Sequence, residues 1–253
     1  MASLGSPEGA AILALLFAGH SLADFVFQSP AMVEGKHRDV RLLFRHGWQV
    51  FAVHALVLLP FLLDGGLAVP VSLAVAIAHV FVDAGKPALG LRVGVGPLGS
   101  FFLDQALHAA TLVLVAAIWA SSDLPPEEGP LVVDLETLRA LGVVTAAYAF
   151  AVHGGSAVVA AVLASVRPTE AEAESMATGP SPGRVIGILE RLLVVTLVWL
   201  GEWSAVGFVL AAKSVARFKE LDDRNFAETY LIGTLTSVLV AGALGLAIRI
   251  LLS

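Results

Sequence analysis

Residues 71–86 read VSLAVAIAHVFVDAGK, an apolar run with a histidine and an aspartate one helical turn apart before a lysine ends it. Ionisable side chains are costly inside a membrane-spanning helix, where they usually face a bundle interior or a watery cavity. The same spacing recurs at His20 and Asp24, and in reverse order at Asp104 and His108. These pairs, set in long apolar runs, indicate membrane-embedded helices that share a polar site.

The amino-acid composition of the chain is typical of a membrane protein. Its 253 residues are 57% hydrophobic and 14% charged, with a mean hydropathy of +0.86, whereas soluble domains average about 25% charged residues. The net charge of −6 offers no basic surface for nucleic acid, so we expect no nucleic-acid partner. The absence of cysteine excludes disulfides and thiolate metal ligands. The opening MASLGSPEGA lacks the basic residues of a signal peptide, so the first apolar run is predicted to be a retained span.

The apolar segments predict an all-α protein, a polytopic transmembrane helix bundle of about eight spans. The sixth and seventh segments are short and separated only by GEW, so a bundle of seven spans is also compatible with the sequence. The predicted spans are 9–28, 47–64, 67–86, 100–120, 137–165, 185–201, 203–218 and 228–251.

The distribution of lysine and arginine predicts the orientation of the bundle. Most basic residues fall in the loops after the first, third, fifth and seventh spans, and such loops face the cytoplasm. The opposite loops carry Asp64 and the acidic stretch at 121–136. Both termini are therefore expected outside, with the protein in the bacterial inner membrane. A low-complexity stretch at 167–183 is predicted to be a flexible cytoplasmic linker between a five-helix part, 1–166, and a three-helix part, 184–253.

The last predicted span places small residues at four-residue steps, at Gly233, Ser237, Ala241 and Gly245. Residues four apart share one face of a helix. Small residues on such a face let another helix approach closely. This stripe predicts helix packing.

Counting about 1.5 Å of rise per residue from the cytoplasmic end of each predicted span gives the depth of the polar residues. Four imidazoles fall at one level, about 10–12 Å deep, and three carboxylates fall about 5–6 Å deep. The reversed order in the fourth span agrees with its opposite direction. Imidazole and carboxylate together suit Zn²⁺, Fe²⁺ or Mn²⁺ better than Mg²⁺ or Ca²⁺, and zinc is our first choice. The predicted ligands are His20, His54, His79, His108, Asp24, Asp83 and Asp104.

These seven residues leave the number of metal ions open, because one ion with supporting carboxylates and two ions bridged by a carboxylate both fit. Asp24, Asp83 and Asp104 are also the candidates for catalytic proton transfer. Three other histidines are placed outside the ligand set. His46 stands at the predicted membrane edge and is a secondary candidate, His37 is interpreted as a solvated loop residue, and His153 as a packing residue.

The C-terminal half carries a second polar set. One interpretation is a lattice of ion pairs, such as Glu190 with Lys213, with long basic side chains reaching the interface. The functional interpretation is a cofactor or substrate anion site, in which basic side chains receive a phosphate or carboxylate head group. The residues of that site are Lys86, Arg191, Lys213 and Arg217.

Taken together, several motifs resemble the bacterial family called domain of unknown function 3307. They are HSLADFVFQSP, HVFVDAGK, FFLDQALH, GRVIGILERLL and GFVLAAKSVARF with AETYLIGTLTS, which extend the resemblance from about residue 15 to 240. The resemblance implies a polytopic inner-membrane protein of the bacterial cell and carries no assigned catalytic residues. A fainter likeness of the His-x₃-Asp pairs to membrane-bound metal-dependent hydrolases is an analogy only.

Three classes of function remain in order of preference. The first is a metal-dependent hydrolase that acts on a membrane-embedded substrate, favoured as an anionic lipid by the basic residues and assisted by metal-activated water. The second is a transporter of divalent cations or protons, although the polar groups cluster on one side of the membrane. The third is a non-catalytic scaffold in which the protein saturates a structural metal. Membrane lipids are partners in all three.

Overall fold

The computed structural model describes residues 4–61, 68–121, 133–166 and 182–253, and within these ranges the chain is helical without strands. This confirms the predicted all-α class. The α-helices are α1 (Pro7–Phe25), α2 (Pro30–Gly35), α3 (Val40–Val57), α4 (Ala68–Val93), α5 (Pro97–Ala120), α6 (Leu135–Ala149), α7 (Gly155–Val166), α8 (Pro182–Leu200), α9 (Trp203–Ala216) and α10 (Arg224–Leu251). Short 3₁₀ turns lie at Leu59–Phe61 and Phe218–Asp222, and a π-helical turn at Phe150–Gly154 joins α6 to α7.

Seven of the eight predicted spans correspond to one α-helix each, and the fifth corresponds to α6 and α7 with the π-helical turn between them. Among the described residues, five helical segments are long and apolar enough to cross a membrane. These five are Pro7–Phe25, Ala68–Lys86, Pro97–Ala120, Leu135–Val166 and Arg224–Leu251. α9 is a shorter apolar helix, as expected for the seventh segment. The predicted linker at 167–183 lies almost wholly outside the described residues.

The described chain forms two compact units, and the predicted division at the linker stays a prediction. The first unit comprises Met1–Val95 and Phe102–Ala149, and the second comprises Gly96–Phe101 and Phe150–Ser253. The sequence boundary therefore passes through the predicted fifth span, at the π-helical turn after α6.

The helices begin where local sequence supplies an N-terminal cap. Ser6 accepts a hydrogen bond from the Gly9 amide before α1, and Asp39 accepts one from the Arg41 amide before α3. Such side chains satisfy amides that have no partner within the helix. The cap at Asp39 starts α3 at Val40, seven residues before the predicted span at 47–64.

The apolar core of the first unit lies between α1, α3, α4, α5 and α6. α6 packs against α1 so closely that a Cβ atom at Gly142 would lie 2.6 Å from the carbonyl carbon of Ala14. Glycine at this position is therefore required by the approach of the two backbones. The core comprises Ala11, Ile12, Leu15, Leu16, Ala23, Val50, Val53, Leu58, Phe61, Ala68, Val75, Ala76, Leu112, Ala116, Trp119 and Leu138.

In the second unit, the predicted stripe of small residues on α10 is a packing surface. Ser237, Ala241 and Gly245 are buried. A Cβ atom at Gly245 would lie 2.7 Å from the carbonyl oxygen of Val195 on α8, so these two helices touch backbone to backbone. The packing prediction is confirmed.

The apolar helices turn many large side chains outward. Phe81 on α4 is 73% exposed and Leu239 on α10 is 74% exposed, whereas His79 and Asp83 on α4 are buried. A helix with apolar residues outside and ionisable residues inside suits a hydrocarbon environment rather than water. The structure therefore supports association with a membrane.

Candidate metal centre

The polar residues of the first unit converge into one buried group, which we call the His/Asp cluster. Three helices each contribute a histidine and an aspartate four residues apart, and residues at that spacing lie on one helix face. The side chain of Asp24 is 7% exposed, and the other six residues are also buried. The cluster comprises His20 and Asp24 on α1, His46 on α3, His79 and Asp83 on α4, and Asp104 and His108 on α5.

Three atoms of the cluster form a tight triangle, which we call the first centre. Asp24 Oδ1 lies 3.0 Å from His46 Nε2 and 3.2 Å from His79 Nε2, and the two imidazole nitrogens lie 2.9 Å apart. Ligand atoms bound to one tetrahedral zinc ion at 2.0–2.1 Å are about 3.3 Å from one another. The three atoms are therefore spaced as ligands of a single ion.

Asp83 stands beside the first centre and is held there by a lysine. Its Oδ2 atom lies 3.6 Å from His46 Nε2 and 3.5 Å from His79 Nε2. The same oxygen accepts a hydrogen bond of 2.7 Å from Lys36 Nζ, and Lys36 is itself buried. Lys36 caps α2, so this short helix brings its ammonium group onto the cluster.

A second group of atoms in the cluster has no hydrogen bond within the described structure. Asp83 Oδ1, Asp104 Oδ1 and His108 Nε2 are buried without a partner. The His108 nitrogen lies 3.8 Å from each of the two carboxylate oxygens. Buried polar atoms are costly unless a partner satisfies them, so these three atoms are candidate ligands for a metal ion.

His20 extends the cluster on the side of His108. The rings of His79 and His108 are stacked with centroids 4.1 Å apart, and the His20 ring lies 4.9 Å from that of His108 and 5.4 Å from that of His79. The Nε2 atom of His20 lies 3.3 Å from the Oε1 atom of Gln105. Nitrogens of these three rings lie close enough together to form a third group able to hold an ion.

The charges of the cluster favour a cation. Three carboxylates face two ammonium groups, because Lys36 pairs with Asp83 and Lys86 Nζ lies 3.0 Å from Asp104 Oδ2. Buried carboxylates are stabilised by opposite charge or by a metal. With neutral imidazoles, one negative charge is left for a bound cation.

Six of the seven predicted ligands are brought together, and His54 is in none of the three groups. His54 follows His46 by eight residues, which is about 12 Å along α3. Its Nδ1 atom donates to the carbonyl oxygen of Val50 at 2.8 Å, and its ring packs against Gly19. The structure therefore places His46, the secondary candidate, where His54 was predicted.

The sequence interpretation ranked His46 below His54 and did not single out Lys36, for one reason. Both lie next to a helix start that hydropathy does not detect, because Arg41 and Arg45 interrupt the apolar pattern at the start of α3. Asp39 as a cap residue, and the spacing of His46, Val50 and Val53 on one face, were the signals that could have found α3.

The two remaining histidines lie outside the cluster. His37 is partly buried in the connection between α2 and α3 rather than fully solvated. Burial and the neighbouring Lys36 ammonium lower the pKa of His37 below its usual value, so this ring is neutral at pH 7. His153 lies in the π-helical turn of the second unit.

Three of the four basic residues of the predicted anion site lie in the second unit, and they have protein partners. Lys213 Nζ forms the expected ion pair with Glu190, and Arg217 pairs with Glu220. Arg191 is buried and donates to the carbonyl oxygens of the π-helical turn, at 2.6 Å to that of Ala151 and 3.0 Å to that of Val152, and to the Ser156 hydroxyl. The ion-pair interpretation is confirmed for Glu190 and Lys213, and the anion site stays a prediction.

The fold and the cluster define a class: an all-α protein with membrane-type helices and a buried His/Asp group that could hold a metal ion. Residues 12–126 match the model of the family described as Protein of unknown function (DUF3307), so the chain is similar to that family over this segment. The matched segment contains the whole His/Asp cluster, whereas the C-terminal motifs of the resemblance lie beyond it. No curated protein and no solved structure is significantly similar to the chain.

Proposed function

We propose that the protein is an intramembrane metalloprotein of the bacterial inner membrane that hydrolyses an anionic lipid or another membrane-embedded substrate near the cytoplasmic face. The proposal rests on the first centre, in which three buried ligand atoms from three helices lie 2.9–3.2 Å from one another. Its ligand types favour zinc, with iron and manganese as alternatives.

A three-ligand centre is the arrangement that supports catalysis. Catalytic zinc sites have three protein ligands and keep the fourth position for water or substrate. A bound zinc ion lowers the pKa of that water to about 7, which supplies hydroxide at neutral pH. Asp24, His46 and His79 are the three ligands in this proposal.

In this proposal Asp83 accepts a proton from the attacking water, and Lys36 is the counter-ion of the Asp83 carboxylate. Asp83 Oδ2 lies 3.5 Å from His79 Nε2, next to the ligand atoms of the first centre. It is our choice of general base, because a base must be within hydrogen-bond reach of the proton that it accepts. The ammonium of Lys36, 2.7 Å from that oxygen, keeps the carboxylate ionised.

The surroundings favour a substrate at the membrane surface. Near His46 on α3, Phe44 is 67% exposed and Trp48 is 70% exposed, and aromatic residues concentrate at membrane interfaces. Lys86, which pairs with Asp104, is 30% exposed while the cluster itself is buried. A partly exposed cation next to the cluster favours an anionic head group. The excess of basic residues in these loops favours a cytoplasmic location.

One observation favours a second candidate, a structural metal in a non-catalytic scaffold. Asp83 Oδ2 is near enough to the two imidazoles of the first centre, at 3.5 and 3.6 Å, to become a fourth ligand. A site with four protein ligands is closed and stabilises the fold without catalysing a reaction. Both candidate functions use the same metal, and they differ in whether the protein turns over a substrate.

The metal is tested by elemental analysis of protein purified in detergent without chelators. We expect at least one equivalent of zinc, iron or manganese in the wild type and its loss in His46→Gln. His54→Gln is the matched control, since it replaces a buried histidine of the same helix outside the three groups. A wild type without stoichiometric metal overturns the proposal.

The reaction is tested with labelled phosphatidylglycerol and labelled polyprenyl phosphates in mixed micelles. If the protein is a hydrolase, product release should require metal, persist in His54→Gln and be lost in Asp83→Asn. If protein with its full metal content hydrolyses none of these lipids, the hydrolase proposal fails and the structural metal is favoured.

A further inference from the structure

We infer that the protein holds a second metal ion beside the first, with Asp83 bridging the two, an inference that rests on the proposed metal function. The second centre consists of the three unpartnered atoms Asp83 Oδ1, Asp104 Oδ1 and His108 Nε2. It lies on the side of Asp83 that faces α5, away from the first centre.

The three atoms have the burial and the chemistry of ligands. Asp83 is 0% exposed, His108 is 1% exposed and Asp104 is 8% exposed, and each of the three atoms lacks a hydrogen bond in the described structure. For both carboxylates the other oxygen is already occupied, by Lys36 and by Lys86 respectively. The oxygen left over on each aspartate is therefore the one directed toward His108.

The spacing of these atoms is close to that of a metal site. His108 Nε2 lies 3.8 Å from Asp83 Oδ1 and 3.8 Å from Asp104 Oδ1, and the three residues offer ligand atoms within 4.8 Å of one another. Tetrahedral zinc ligands are about 3.3 Å apart, so each of the two nitrogen–oxygen distances would have to shorten by about half an ångström. Small side-chain rotations supply that movement.

Two carboxylates of the cluster direct their two oxygens to different sides. Asp83 Oδ2 approaches the imidazoles of the first centre while its Oδ1 approaches His108. Asp24 Oδ1 belongs to the first centre while its Oδ2 lies 3.9 Å from His20 Nε2. Carboxylates that bridge two ions hold them about 3.5–4 Å apart in two-metal hydrolases. Asp24 thereby links the first centre to His20.

A second ion changes the role of Asp104. In a site with one ion, Asp104 is a carboxylate paired with Lys86 and a candidate base. In a site with two ions Asp104 would be a ligand, Asp83 would be the bridging ligand instead of the general base, and the ions would supply positive charge for a displacement reaction. The ion pair with Lys86 then holds Asp104 in position through its other oxygen.

The second ion is tested by loading metal-free protein with Mn²⁺ and recording metal content and low-temperature electron paramagnetic resonance. We expect about two equivalents and an exchange-coupled spectrum in the wild type, because bridged ions at this separation interact. Asp104→Asn is expected to halve the manganese content and to give the uncoupled spectrum of isolated Mn²⁺. Glu190→Gln, a buried carboxylate outside the cluster, is the control and should keep both.

The outcomes separate this inference from the proposed function. One equivalent in the wild type, with an uncoupled spectrum and no change in Asp104→Asn, overturns the second centre and leaves the first. No bound manganese, zinc or iron overturns both. If Asp104→Asn does not fold, His108→Gln tests the same centre, and the wild-type stoichiometry decides without any variant.

Discussion

The two units both bury charged side chains among apolar helices, but they satisfy them in different ways. In the second unit, Arg191 donates to the carbonyl oxygens of Ala151 and Val152, and Lys213 pairs with Glu190. A π-helical turn leaves backbone carbonyls available, and the guanidinium occupies them. These contacts lie within the unit and hold its helices together.

In the first unit, several unsatisfied buried atoms belong to one cluster, whereas in the second unit Glu190 Oε1 is an unsatisfied oxygen of a carboxylate whose other oxygen pairs with Lys213. Asp83 Oδ1, Asp104 Oδ1 and His108 Nε2 have no partner among the described residues, although Lys36 and Lys86 neutralise two of the carboxylates. The difference teaches that burial of charge alone does not indicate a binding site. The informative feature is a converging set of atoms whose hydrogen-bonding capacity the protein does not use.

The largest expected effect is the loss of metal in His79→Ala. His79 Nε2 belongs to the first centre, 2.9 Å from His46 Nε2 and 3.2 Å from Asp24 Oδ1. Loss of a group that only orients a ligand weakens metal affinity about 10–100-fold, so loss of the ligand itself should exceed about 100-fold. Competition titration with a zinc indicator measures it, and unchanged affinity would remove His79 from the site.

Replacement of Lys36 by methionine should destabilise the metal-free protein. It leaves Asp83 buried without its counter-ion, and breaking a buried ion pair costs about 3–5 kcal/mol. Added zinc should restore much of the loss, because the ion neutralises the carboxylate in place of the ammonium. Thermal unfolding in detergent, with chelator and with zinc, measures both effects.

Lys213→Met is the matched control for the Lys36 variant. It breaks the ion pair with Glu190 in the second unit, where no metal is expected, so zinc should not restore its stability. Equal rescue of both variants by zinc would show that the two units do not differ in the way described above.

Arg191→Met should lower the stability of the protein and leave its metal content unchanged. The substitution removes the donors to the carbonyl oxygens of Ala151 and Val152, and unsatisfied buried acceptors cost about 1–3 kcal/mol each. We expect a loss of about 2–4 kcal/mol in the unfolding free energy. Loss of metal in a variant that still folds would mean that the second unit contributes to the site.

The smallest effect is expected from His54→Gln. Its ring lies outside the three groups and its Nδ1 donates to the carbonyl oxygen of Val50, a contact worth about 1 kcal/mol. Metal affinity should change less than about threefold, which is well below the effect of losing a supporting group. A fall comparable to that of His79→Ala would return His54 to the ligand set.

Helix class and most of the cluster could be predicted from the sequence because both follow from local periodicity. The apolar runs predict the helices, and the spacing of His20 with Asp24, or His79 with Asp83, puts each pair on one face. Depth counting then places pairs from antiparallel helices at one level. The structure brings these pairs together, as the ring contacts between His20, His79 and His108 indicate.

The position of His46 in the cluster could not be predicted in the same way. Depth counting needs the start of the helix, and the charged residues near Val40 conceal it from hydropathy. The predicted start of this helix is seven residues too late, which is about 10 Å along a helix. The depth count therefore selects His54 instead of His46. The partners of Arg191 were also hidden, because a π-helical turn with free carbonyl oxygens has no signature in side-chain periodicity.

The central claim is that imidazole and carboxylate groups of the first unit bind a metal directly. X-ray absorption at the zinc edge of protein reconstituted with one equivalent of zinc tests it most directly. We predict nitrogen and oxygen ligands at about 2.0–2.1 Å with the scattering pattern of at least two imidazoles, and loss of that pattern in His46→Gln with His79→Ala. A shell of oxygen alone, as for hydrated zinc, would contradict the account.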